Sequence, residues 1–500
     1  MSFSKVLWMS IGLFLVSCAG TTDNAVRTTK IAGKEKTMQP DAVIAAIKAI
    51  DAAKAEKKGG ALLAKYKKES EEHPKDRYLK FLYYYSIGDK DESWQRLNGM
   101  TYMEPGFPWP YLGRGLIYDS WGSTMDKAEQ DYRKFTTMLP GVAFGHQKLG
   151  DLLVKSKRFK EAVAEYEKAI SVDSKLAEAY YGMALAKWYM NDLDGAQESF
   201  AKAIKVRKDY FDAWFQLGML KQRRKDSKGA LEAFLKAASI NPDSYEAHKY
   251  SADMLLAKGD KQSAISEYEA ALKVKPNDIK TDLKLAKLYE EIGNLKGEIR
   301  TYERAKKTDP RNAKILVHLG MLYMKNGDKE NAEVNFKEGL KLEPKNVDAR
   351  LYLARIAVSR QDWIPAIDRY LLLLEEDPNN GQGKQEFAKL LEELHVPADG
   401  FSCSLRRKTF SACLENVLNR KIRPFLSRRY RELVKKTPEL KGGVELEIRI
   451  DKAGRVRGVR FVENQLKGQG FDAVIYACFW VAHFPKGPGG KWNYAMEFEP

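Results

Sequence analysis

Pro242, Pro276, Pro310, Pro344 and Pro378 stand 34 residues apart. A fixed period of this length marks a solenoid, in which each unit is too small to bury its apolar face alone and stacks on its neighbours. Other residues keep the same register. Gly218, Ala230, Phe234 and Ala237 precede Pro242, and Ala252, Ala264, Tyr268 and Ala271 precede Pro276. Ala286, Tyr302 and Ala305 lead to Pro310; Gly320, Ala332, Phe336 and Gly339 to Pro344; Ala354, Ala366 and Tyr370 to Pro378. Small residues suit places where two helices cross closely, and the aromatic fills the space left over. Upstream the terminators weaken: Ala184, Ala196, Phe200 and Ala203 end at Lys208, Gly150, Ala162, Tyr166 and Ala169 at Ser174, and Ala128 and Tyr132 at Pro140. Two residues depart from the pattern, Glu298 where other units have alanine and Leu373 where a small residue is usual.

On these residues the array resembles the tetratricopeptide repeat, a helix pair of 34 residues. The resemblance gives eight units between about Trp109 and Asn380. It implies that the first helix of each pair lines an inner, partner-binding face. Carried over residue by residue, it places Tyr181, Trp188, Phe215, Met219, Lys249, Lys287, Met321, Met324 and Arg355 on that face. Aromatic and methionine side chains are frequent interface anchors. The expected partners are proteins or peptides.

The first residues read as targeting sequence. Lys5 is followed by an apolar stretch from Val6 to Val16, too short to span a bilayer, which ends in Leu15-Val16-Ser17-Cys18-Ala19-Gly20. This resembles a bacterial lipoprotein signal, which implies that residues 1–18 are targeting sequence with Cys18 lipidated as the mature N-terminus. The alternative is an ordinary secretory signal. With no aspartate just after Cys18, the resemblance implies the periplasmic side of the outer membrane. Residues 19–40 are polar and read as a tether, and 41–108 as a helical region or degenerate repeats. Helices are expected over 41–58, 62–71 and 76–85, with a rigid break from Glu104 to Pro110 before the array at 109–380. Residues 381–400 read as a capping helix, Gln385 to Leu394, and a linker.

Composition changes over 401–500. A helix is expected from Ser411 to about Lys436, interrupted at Pro424, followed by alternating strands at 444–450 and 456–462 around the turn Asp451-Lys-Ala-Gly454. An apolar helix over 471–482 and a strand over 492–498 complete a small α+β unit. The fold class is therefore mostly α, a helical solenoid followed by a small α+β domain. Tyr430, Pro438, Leu440, Gly442, Val444, the Ile450–Val456 turn, Phe471, Cys478, Phe484-Pro485 and Gly489-Gly490 resemble the TonB-like C-terminal domain that ends envelope and gliding-motility proteins of myxobacteria and their relatives. That resemblance implies a protein-contact module without catalysis. The family often pairs the position of Cys478 with a cysteine just before the position of Tyr430, and here that residue is Arg429. Cys403, Cys413 and Cys478 leave three solutions: Cys413 with Cys478, Cys403 with Cys413, or three reduced thiols.

The chain is 44% hydrophobic and 31% charged, which fits neither a disordered chain nor an integral membrane protein. Its formal net charge of +17 is spread among alternating Lys and Glu, with no basic arm to suggest nucleic acid. No Walker loop, dinucleotide fingerprint, nucleophile elbow or HExxH appears, and none of the six histidines lies beside the cysteines in ligand spacing. Neither enzyme activity nor a cofactor is expected. The expected function is a lipid-anchored periplasmic scaffold that holds envelope proteins and is part of gliding or other trans-envelope machinery. The alternatives are an outer-membrane, pilus or secretion assembly lipoprotein, or a cell-wall protein that contacts peptidoglycan.

Overall fold

The computed structural model describes residues 38–394, 396, 401–402, 422–434, 442–450, 456–464, 471–480, 482–483 and 490–498. Cys18, Cys403 and Cys413 lie outside these residues, as do Pro438, Leu440 and Phe484-Pro485. The chain divides into two compact units, Met1–Glu267 and Tyr268–Pro500, with the division inside helix Lys261–Val274. Among the described residues no helix is long and apolar enough to cross a membrane.

The first unit opens with helices Pro40–Ala55, Gly60–Glu72, Arg77–Ser86 and Lys90–Met103. The fourth was not expected, because its apolar spacing is poor. It forms behind Asp89, whose carboxylate accepts the Glu92 amide at 2.8 Å. The segment Glu104–Pro110 does break the chain, and Trp109 and Pro110 then start the next helix, Trp109–Trp121. Phe107 and Trp109 are buried, with the Trp109 ring 5.3 Å from Phe135 and 6.3 Å from Phe81. One apolar core consequently runs from Val43 and Ile47 through Trp109 to Tyr166 and Ala186. The N-terminal helices and the first repeats are a single packed body.

Helix pairs follow at the expected spacing. In the first unit they are Trp109–Trp121 with Met125–Met138, Ala143–Lys155 with Phe159–Val172, Ala177–Tyr189 with Leu193–Val206, and Phe211–Arg223 with Ser227–Ile240. Helix Tyr245–Lys258 leads to the unit's end. In the second unit they are Ile279–Glu291 with Leu295–Thr308, Ala313–Lys325 with Lys329–Leu342, and Val347–Ser359 with Trp363–Glu376. Each proline of the ladder comes two residues after a second helix ends, at Ile240, Val274, Thr308, Leu342 and Glu376. The residue before a proline is driven out of the α region, so the helix cannot pass it. The second helices start behind Asp192, Asp226, Asn294 and Asp328, whose side chains accept backbone amides at 2.9–3.0 Å. Small-against-aromatic packing closes each pair. A methyl group added to Gly218 would lie 2.7 Å from the Phe234 ring, and one added to Gly320 would lie 2.7 Å from Phe336.

The second unit ends in helix Gly381–Glu393 and a small α+β region. Strands β2 (Gly442–Ile450), β3 (Val456–Asn464) and β5 (Gly490–Phe498) form an antiparallel sheet in the order β3-β2-β5. The two-residue strands β1 (Phe401–Ser402) and β4 (Ala482–His483) pair in parallel. Pro424 is the second residue of helix Arg423–Val434, where a missing amide costs little, and the part of the expected helix before it, residues 411–421, lies outside the described residues. Alternation places Val444, Leu446 and Ile448 in the core. They pack with Ile475, Phe479 and Cys478 of helix Phe471–Trp480, and in the same cluster with Ile367, Tyr370 and Leu373 of the last repeat and Phe387 and Leu390 of the helix that follows. The capping helix expected from Gln385 to Leu394 is helix Gly381–Glu393, and it lies in a core shared by the last repeat and the sheet. Leu373, an exception to the small-residue pattern, is fully buried there.

Candidate protein-binding face

The first helices of the pairs present different chemistry in the two units. In the first unit Trp188, on helix Ala177–Tyr189, is half-buried and meets Phe200 edge-on at 6.2 Å. Phe215, on helix Phe211–Arg223, is half-buried among Phe211, Phe234 and Tyr250, at 5.9, 5.6 and 5.8 Å. Met219 lies one turn further along the same helix, half-buried. Lys249 is half-buried, with its ammonium 5.6 Å from the centre of the Tyr245 ring. Tyr181 does not belong to this face. It is 3% exposed and packs at 5.2 Å on Tyr210 and 5.8 Å on Phe200, so it is core. The family spacing places its Cα on the inner helix, but the ring fills the gap to the next pair.

Trp214 was missed. It packs against the cluster that includes Trp188 and also against the one that includes Phe215, and its indole N–H donates to the Lys208 carbonyl at 2.9 Å. Trp188, Trp214 and Phe215 are therefore all half-buried aromatics on first helices. The aromatic density of Tyr210-Phe-Asp-Ala-Trp-Phe215 was the available signal, and position-by-position carry-over passed over it.

In the second unit Lys287 is exposed, on helix Ile279–Glu291. Met321 and Met324 line an open pocket of about 500 Å³ together with Glu290, Glu298, His318 and Tyr352. Arg355 is not available to a partner in the way the spacing implied. Its guanidinium donates to both oxygens of Glu386, at 2.7 Å from Nη2 to Oε1 and 3.0 Å from Nε to Oε2, and lies 4.9 Å over the Tyr352 ring. The Tyr370 hydroxyl also donates to Glu386, at 3.0 Å. Burial works to raise the Glu386 pKa, but Arg355 and Tyr370 outweigh it and hold the carboxyl below its ordinary range. Arg355 thus fastens helix Gly381–Glu393 to the last repeat. Cys478 is fully buried, which pushes its thiol pKa well up, and both cysteines considered as its partners lie outside the described residues.

Stacked helix pairs that offer half-exposed aromatic, methionine and charged side chains from their first helices define a binding scaffold. Profiles of the TPR repeat match residues 150–191, and those of the tetratricopeptide repeat match 181–245, 220–279, 252–313 and 313–346. Residues 150–346 are thus matched by tetratricopeptide-repeat models. No curated protein matches it. Similar solved structures include YrrB, described as a TPR protein with an unusual peptide-binding site, at 20% identity over 44% of this chain and 95% of that one, with a TM-score of 0.27. MamA protein is 22% identical over 34% of this chain and 94% of its own, with a TM-score of 0.29. Pseudomonas aeruginosa pilF is 17% identical over 43% and 97%, with a TM-score of 0.29. Likeness at this level says nothing of what the present chain binds. Tetratricopeptide repeats are protein-interaction modules, which fits a non-enzymatic role for residues 150–346.

Proposed function

We propose that the protein is a lipid-anchored scaffold on the periplasmic side of the outer membrane, where its repeats hold one envelope protein and its TonB-like C-terminal domain contacts another. Part of a gliding or trans-envelope machine is the setting that the C-terminal resemblance favours. The observation that carries the binding role is the half-buried aromatics Trp188, Trp214 and Phe215 on first helices, since large half-exposed aromatics are costly to leave in water and are favoured interface anchors. The anchor rests on Leu15-Val16-Ser17-Cys18 behind a short apolar stretch.

Envelope crosslinking followed by co-purification tests the scaffold. Defined protein partners are expected with the parent chain, and they should be lost when Trp188 and Phe215 are both replaced by glutamate. Undiminished recovery from that variant would remove Trp188 and Phe215 from the binding face. Labelling with a palmitate analogue tests the anchor. It should require Cys18, and a labelled Cys18→Ala protein would overturn lipidation there.

A further inference from the structure

At one register the second helices of the repeat pairs carry Ala128, Ala162, Ala196, Ala230, Ala264, Ala332 and Ala366, all fully buried. The remaining helix at that register, Leu295–Thr308, carries Glu298 instead, and its side chain is only 3% exposed. A carboxylate in place of a buried alanine is expensive unless it is well bonded. Glu298 is not closely bonded to its ion-pair partner, because His318 Nε2 stands 3.5 Å from its Oε1, against about 2.8 Å for a strong charge-assisted bond. The histidine–glutamate pairs of the first unit, His146–Glu165 and His248–Glu267, close at 2.7 Å. His318 is held away by its ring, which stacks on Tyr302 at 4.4 Å.

This under-bonded carboxylate lines the 500 Å³ pocket. Exposed Glu290 adds a second carboxylate, Lys325 is an exposed ammonium, and Met321, Met324 and Tyr352 supply adaptable apolar walls. Two carboxylates against one ammonium leave the lining with an excess of negative charge. An apolar guest would strand Glu298, and an anion would be repelled by it. A cation on an aliphatic stem fits both parts of the site. We propose that this pocket takes a lysine or arginine side chain of the partner polypeptide, its methylenes along Met321 and Met324 and its charged head at Glu298 and Glu290. The proposal rests on the reading of the repeats as a protein-holding scaffold. The chain's +17 charge opposes long-range steering of a cationic segment, so recognition is short-range and a single residue binds weakly.

Nuclear magnetic resonance of the histidine side chains in the full chain provides the test, with His318 assigned by a His318→Gln variant. N-acetyl-arginine amide and N-acetyl-lysine amide should move the His318 signal saturably. N-acetyl-citrulline amide, the neutral isostere of the arginine probe, should bind about tenfold more weakly or worse. Glu298→Ala restores the residue used by the other repeats, so the protein should stay folded and lose the response. Equal binding of citrulline amide, or an undiminished response in Glu298→Ala, overturns the proposal. If the cationic probes fail while crosslinked partners are still recovered, the pocket assignment falls and the scaffold reading stands. If the probes bind and no partner is ever recovered, the scaffold reading falls.

Discussion

Lys157, Asn191, Lys225, Gly259, Gly293, Gly327 and Gln361 all have positive φ, between 61° and 88°, and successive members are 34 residues apart. The turn between the two helices of a pair thus passes through the left-handed region each time. Only glycine enters it without a Cβ penalty, which amounts to about 1–2 kcal/mol for most residues. Lys225→Gly should accordingly stabilise the protein by about 1 kcal/mol, after allowing for glycine's greater freedom in the unfolded chain. Gly293→Ala should destabilise it by a similar amount. Denaturant midpoints would read both, and a stabilising Gly293→Ala would contradict the conformation assigned. At this scale the sequence was only half legible. The prolines announced the period because proline tolerates few backbone states, whereas the turn positions were hidden because lysine, asparagine and glutamine were accepted there at a cost.

Helix pairs were the most legible level. Alanine, glycine and a ring recur because a close crossing admits nothing larger on one side, and Gly218 against Phe234 shows the same constraint in space. The binding face was less so. Tyr181 and Trp188 share a helix, yet one fills the core and the other reaches the surface, a difference set by the neighbouring pair rather than by position. Glu298 shows what an exception costs. Burial raises its pKa, opposed by His318 and Lys325 and reinforced by Glu290. The folded protein therefore holds that proton to higher pH than the unfolded chain, whose glutamate titrates near about 4.3. The penalty is absent below that value, grows as pH rises towards the folded pKa, and is complete above it. Glu298→Ala should be more stable than the parent at neutral pH by about 1–2 kcal/mol, with the gap closing as pH falls through the carboxylate range. A gap that does not change with pH would mean that Glu298 carries no such burden.

Over the whole of the second unit, the last repeat and the α+β region are one packed body. The Tyr476 hydroxyl donates to Asp368 at 2.5 Å across 108 residues of sequence, and Ile367, Leu373, Leu446 and Phe479 share one cluster. Strands could be read from alternation, since one face is wet. Their order β3-β2-β5 and their seat on the repeats could not, because both depend on contacts distant in sequence. Removing residues 401–500 should increase hydrogen exchange in helices Val347–Ser359 and Trp363–Glu376 by tenfold or more, about 1.4 kcal/mol of lost protection. Unchanged exchange there would show that the repeats are complete without the sheet. The same contact sets a delay during synthesis. Asp368 leaves the ribosome 108 residues before Tyr476, roughly 5 to 20 s at ordinary translation rates. Throughout that interval the apolar end of the last repeat is made but not covered, and a newborn chain has to be kept from its neighbours until its own C-terminal segment arrives.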